Sequence, residues 1–130
     1  MLTDALVNLY TRDIEAGIHF YGELLGLDET FRTPIEGVPE HVEFRVGGFT
    51  IGLGTVEAAE RVHGVVASPG SPSMAIVFWA DDVDAAVDWL VAAGVTVRLA
   101  PHDTGNALRT ALVCDPDGNL VEIVAPQAGA

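Results

Sequence analysis

Asp13-Ile-Glu-Ala-Gly-Ile-His-Phe20 returns as Asp82-Val-Asp-Ala-Ala-Val-Asp-Trp89, position by position, at an offset of 69. In both copies the residue types run acid, β-branched, acid, small, small, β-branched, polar, aromatic. The stretch before each copy matches at the same offset, Leu6-Val-Asn-Leu-Tyr10 against Ala75-Ile-Val-Phe-Trp79. Further on, at an offset of 70, Gly48-Phe-Thr-Ile-Gly-Leu53 falls on Gly118-Asn-Leu-Val-Glu-Ile123. One supersecondary unit is therefore used twice in 130 residues. A duplicated unit implies a pseudo-twofold axis, and a site on such an axis can be read in matched pairs.

Each copy reads as β-α-β-β-β. In the first, residues 5–11 alternate as a strand, and Ile14, Ile18, Tyr21 and Leu25 recur at helical spacing over 13–25. Asp13 can cap that helix and Gly26 can end it. Strands follow at 28–33, 41–46 and 49–54, the last two joined at Gly47-Gly48. The second copy predicts a strand at 74–80, a helix at 82–93, and strands at 95–99, 109–114 and 119–124. Asp115-Pro-Asp-Gly-Asn119 is its hairpin turn: Pro116 presets φ, and Gly118 can take the positive φ that side chains resist. The repeat thus spans 5–54 and 74–124. Of the link at 55–73, residues 56–62 read as a short helix and 63–73 as a Gly/Pro/Ser linker. Neither half buries its helix and sheet face well alone, so the expectation is a single domain over 1–130. The tail Ala125-Pro-Gln-Ala-Gly-Ala130 is expected to fray.

Composition narrows the function. With 49% apolar residues the chain can bury a core, and its longest clean apolar run, Met74 to Ala80, is too short to cross a bilayer. The N-terminus lacks the basic start of a secretory signal. One cysteine, Cys114, excludes an internal disulfide and fits a reducing compartment, so a cytoplasmic protein is expected. Cys114 itself reads as a buried, inert thiol. Nineteen acids face six bases, all Arg, for a formal net charge of -13. That field opposes nucleic acid and favours solubility and cationic ligands.

Alternation assigns two faces to the first and last strand of each half. Val7, Leu9, Ile51, Leu53, Ile76, Phe78, Val121 and Ile123 fit the face against the helices. The opposite face then carries Leu6, Asn8, Tyr10 and Gly52 from the first half, and Ala75, Val77, Trp79 and Glu122 from the second.

The paired β-α-β-β-β units resemble the vicinal oxygen chelate superfamily, which includes glyoxalase I, extradiol dioxygenases, fosfomycin-modifying enzymes and bleomycin resistance proteins. The carriers are Asp13…Phe20-Tyr21…Leu25-Gly26, Asp82-Val-Asp-Ala-Ala…Gly94 and Asp115-Pro-Asp-Gly-Asn-Leu-Val-Glu122, and they cover nearly the whole chain. The resemblance implies an α+β fold in which two modules form a U-shaped cleft. It also implies metal ligands at four inward positions, one on each first and last strand. Here those positions hold Leu6, Gly52, Ala75 and Glu122, of which only Glu122 can ligate. The histidines offer no rescue: His19 falls in a helix, His41 at a strand start, and His63 and His102 in loops, all reading as surface residues. No metal and no cofactor are expected.

What remains is a pocket with aromatic walls. Tyr10 and Trp79 are equivalent under the repeat and suit a flat ligand by stacking or cation–π contact, with Glu122 as polar anchor. One expectation is a metal-free protein that sequesters an aromatic, possibly cationic, compound such as an antibiotic. This resembles the bleomycin resistance branch, whose members are acidic dimers, so a homodimer is expected too. The alternative is a lyase, isomerase or dioxygenase of the same superfamily with an atypical site that uses Glu122.

Overall fold

The computed structural model describes residues 1–70 and 74–129. They fall into two compact units, Met1–Pro69 and Gly70–Ala130. Part of the expected linker, Ser71 to Ser73, and the last tail residue, Ala130, lie outside the described residues.

The first unit runs β1 (Val7–Thr11), α1 (Ile14–Ile18), a π-helical turn (His19–Leu24), β2 (Asp28–Thr33), β3 (His41–Val46), β4 (Phe49–Thr55) and α2 (Val56–His63). Its sheet has the order β1-β4-β3-β2, with β1 parallel to β4 and the other pairs antiparallel. Asp13 caps α1, its carboxylate accepting the Ala16 N–H at 3.1 Å. The expected continuous α-helix over 13–25 is corrected: after Ile18 the helix widens to π geometry, and the Leu25 N–H donates to the Phe20 carbonyl five residues back. Phe20 and Tyr21 are consecutive and both buried, with their rings edge-on at 4.8 Å. The wider turn accommodates two neighbouring aromatics on the core side. The Tyr21 ring centroid lies 6.5 Å from that of Phe44, which is buried with Val42 on β3 and with Ile51 and Leu53 on β4.

The second unit repeats the plan with β5 (Ala75–Trp79), α3 (Val83–Ala92), β6 (Val97–Asp103), β7 (Leu108–Cys114) and β8 (Leu120–Pro126), in the order β5-β8-β7-β6. β5 is parallel to β8, as β1 is to β4. The Asp82 carboxylate accepts the Ala85 N–H at 3.0 Å, which reproduces the Asp13 cap at the offset of the sequence repeat. The predicted turn before β8 is built by Asp115, which is buried. Its Oδ1 accepts from the backbone N–H of Asp117 and of Asn119, and its Oδ2 accepts from the Asn119 side chain. Gly118 in that turn has φ 87°, as the sequence predicts.

Several limits move. The tail does not fray at Ala125: β7 starts a residue earlier than predicted, and its Leu108 and Arg109 pair with Pro126 and Ala125, so β8 runs to Pro126 and Ala125 is buried. β6 runs to Asp103 and takes His102 out of its predicted loop; α2 runs one residue further than predicted and ends on His63. Cys114 is half-buried, not buried. No helix among the described residues is long and apolar enough to cross a membrane.

Candidate functional site

The open face of the first sheet follows from register. Val42, Phe44, Ile51 and Leu53 point into the core, so His41, Glu43 and Arg45 of β3 and Thr50, Gly52 and Gly54 of β4 take the other side. On β1, Asn8 pairs with Gly52 and Tyr10 with Gly54. Leu6 lies just before β1 and is exposed. Two glycines at consecutive open-face positions leave β4 without side chains there. The result is a trough, walled by Asn8 and Tyr10 on one side and by His41 and Glu43 on the other.

The walls lean over the floor. A Cβ placed on Gly52 would meet Asn8 Oδ1 at 2.6 Å, His41 Cε1 at 3.0 Å and Leu6 Cδ1 at 3.2 Å. Three of the sequence-predicted residues, Leu6, Asn8 and Gly52, are thereby in one place. A Cβ on Gly54 would meet Asn8 Nδ2 at 3.2 Å, so the Asn8 amide spans both glycines. Close side-chain approach of this kind is a standard reason for glycine inside a strand.

The trough opens into a cavity of about 240 Å³ beside α2, whose lining includes Asn8, Tyr10, His41, Gly54, Ala58 and Val62. Toward Leu6 lies a second hollow of about 420 Å³ bordered by Asp4, Thr30, Glu43, Arg45 and Thr50. His41 Nε2 and Glu43 Oε2 are 2.8 Å apart, and each side chain is only about a quarter exposed. His41 and Glu43 are the site residues that the sequence reading missed. The corrected view of His41 is a half-buried wall residue instead of a surface one. The signal was present: His41 and Glu43 share a face by period two, as do Gly52 and Gly54.

The second module's open face differs in chemistry. Ala75, Val77 and Trp79 alternate with the core-facing Ile76 and Phe78 of β5. Val77 is 50% exposed and Trp79 68% exposed. Glu122 is half-buried and stands in register with Val77 on β5 and Leu112 on β7. One carboxylate therefore sits in an apolar row, while the first module's face is rich in hydrogen-bonding groups.

A further hollow, about 460 Å³, lies at the start of α3. It is acidic, with Asp81, Asp82, Asp84 and Asp103, but its Arg109 is occupied. Arg109 donates to Asp84 at 2.6 Å and to Asp103 at 3.0 Å. Those hydrogen bonds hold the Asp84 carboxyl below its ordinary range and raise the Arg109 guanidinium. The arrangement clamps α3 to β6 and β7.

A divalent ion does not fit the positions that the superfamily uses. Leu6, Gly52 and Ala75 supply no donor, and the space above Gly52 is filled by Asn8 and His41. Among the described residues, no group of three or more His, Cys, Asp or Glu could hold a metal ion.

The chain matches the Glyoxalase/Bleomycin resistance protein/Dioxygenase superfamily over residues 5–123, and it belongs to that superfamily. It is similar to a glyoxalase/bleomycin resistance protein/dioxygenase family enzyme from Burkholderia phytofirmans PsJN, with 29% identity, a TM-score of 0.79, and coverage of 93% of this chain and 96% of that one. A glyoxalase-related enzyme from Fulvimarina pelagi gives 29% identity and a TM-score of 0.79 over 96% of this chain and 88% of that one. The hypothetical protein SA1046 from S. aureus shares the fold, with a TM-score of 0.81 at 22% identity over 96% and 95% of the two chains. No curated protein sequence matches the chain.

Proposed function

We propose that this protein, working as a single cytoplasmic domain over residues 1–130 and as a homodimer, binds a small aromatic compound without a metal ion and releases it unchanged. Antibiotics that carry a flat or cationic group belong to this ligand class. The ligand-binding set is Leu6, Asn8, Tyr10 and Gly52 of the first module's open face, with Ala75, Val77, Trp79 and Glu122 of the second's. The observation that carries the reading is the crowding over Gly52. A metal-ligating side chain at position 52 has no room, because Asn8, His41 and Leu6 occupy that space. The exposed Trp79 suits stacking, and the formal charge of -13 favours cations over anions.

The test is a screen of aromatic compounds by change in tryptophan fluorescence, repeated in excess chelator. The reading expects the same affinities with and without chelator, and recovery of each bound compound intact by mass spectrometry. Affinity that disappears with chelator would refute it.

A metal-free lyase or isomerase is the second reading, and the His41–Glu43 pair favours it. An imidazole whose tautomer is fixed by a carboxylate is an arrangement used for general bases. Product formation in the same mass spectra, lost in Glu43→Gln or in Glu122→Gln, would establish this reading over the first.

A further inference from the structure

The glycine-floored trough of the first module has a chemistry of its own, set by β3. An ionised carboxylate only accepts hydrogen bonds, so in the neutral imidazole Nε2 carries the proton that Glu43 Oε2 accepts at 2.8 Å. Nδ1 is then left as a bare acceptor. Among the described residues, Glu43 is the hydrogen-bond partner of His41, and its other ring contact is Phe31 at 6.1 Å between centroids. In that tautomer Nδ1 is an acceptor on a ring that borders the cavity beside α2.

The cavity bounds the ligand's size. About 240 Å³ is room for about eight water volumes and falls below the roughly 300–1,000 Å³ of drug-sized sites. A single ring with a short substituent fits this space. The walls bound its polarity. Tyr10, Ala58, Ala59 and Val62 offer apolar surface, and Gly54 leaves the floor flat. Glu40 is taken up by Arg61 and the Asn8 amide turns its Nδ2 toward Gly54, so His41 Nδ1 is the acceptor that selects a donor on the ring.

We infer that the cavity beside α2, lined by Tyr10, His41, Gly54 and Ala58, is a subsite for one aromatic ring bearing an O–H or N–H, which donates to Nδ1 of His41 while Glu43 fixes the tautomer. His41 is the group that touches the ligand, and Glu43 is a positioning residue. The inference rests on the reading of this open face as a ligand-binding face, and it names what that face selects.

Phenol and its methyl ether, anisole, are matched probes: similar rings, one with the donor and one without. Titrations of the full-length, uniformly ¹⁵N-labelled protein, with long-range ¹H–¹⁵N spectra of the imidazoles, read both affinity and contact. The wild type is expected to show His41 as the Nε2–H tautomer. Phenol should bind about fivefold more tightly than anisole, the worth of one ordinary hydrogen bond, and should move the Nδ1 resonance. In His41→Phe the preference should collapse to near unity. In Glu43→Gln the tautomer should become mixed and the preference should shrink, with the amide spectrum otherwise retained. Equal affinity for the two probes in the wild type, binding of neither at millimolar concentration, or phenol binding that leaves the His41 nitrogens unmoved would each overturn the inference. The wild-type measurements decide it even if a variant fails to fold. A chelator-sensitive affinity elsewhere would instead defeat the metal-free reading and leave the phenol preference standing.

Discussion

Gly52→Ala probes the geometry on which the site depends. The new methyl would lie 2.6 Å from Asn8 Oδ1, where carbon–oxygen contacts ordinarily begin near about 3.3 Å, so the Asn8 amide must swing by about 0.7 Å. His41 Cε1 at 3.0 Å and Leu6 Cδ1 at 3.2 Å close two of the directions in which strain could be relieved. Overpacking of a fitted site costs about 1–3 kcal/mol. Because Asn8 can rotate, the cost here belongs at the lower end, near about 1–2 kcal/mol. Against it stands the gain of about 0.5–1 kcal/mol from replacing glycine within a strand. The single variant is therefore a poor test, and the double-mutant cycle with Asn8→Ala is a good one. In the Asn8→Ala background the worst contact is gone, so Gly52→Ala should be more favourable by about 1–2 kcal/mol than in the parent. Urea unfolding followed by circular dichroism resolves this, since unconnected sites add within about 0.3–0.5 kcal/mol. Additivity within that margin would show that Asn8 does not cover Gly52, and the trough as described would fall with it.

Other outcomes follow from single residues. Asp115→Ala removes the acceptor of three hydrogen bonds in the turn before β8 and should cost about 2–4 kcal/mol in the same unfolding assay, because two backbone donors lose their partner. Trp79→Ala should leave stability within about 0.5 kcal/mol, since Trp79 is 68% exposed, yet weaken aromatic ligands by about 1–3 kcal/mol; equal binding by titration would remove Trp79 from the site. Asp84 and Glu29 are held below their ordinary carboxylate range, chiefly by side-chain hydrogen bonds from Arg109 and Arg32. Their contribution is fully present above the unfolded carboxylate values and lost as pH falls through the lower folded values, so the urea midpoint should drop below about pH 4, and drop less in Arg109→Gln.

The fold was legible because it is written twice. The Asp13 cap and the Gly118 turn follow from local patterns, and the repeat carries the cap over to Asp82. The helix 13–25 misled because apolar spacing cannot reveal an added residue in the turn: Phe20 and Tyr21 both go inward, and π geometry accommodates them. The end of β8 depended on its partner, since Ala125 is buried only where β7 is long enough to reach it. At the candidate site, strand parity placed Leu6, Asn8, Tyr10 and Gly52 on the open face. It did not reveal His41 and Glu43, which become neighbours of Gly52 and Gly54 only through the β3–β4 register. A histidine at a strand start looks like surface until the pairing that seats it beside two glycines is known.

Metal content tests the central claim most directly. The full-length protein, incubated with zinc, manganese, iron and nickel salts and then desalted, should retain each at well below one equivalent by elemental analysis, because Leu6, Gly52 and Ala75 give no donors and Asn8 and His41 fill the space over Gly52. Retention of about one equivalent of any of these metals, lost in Glu122→Gln, would contradict the account and return the protein to the metal-dependent members of its superfamily.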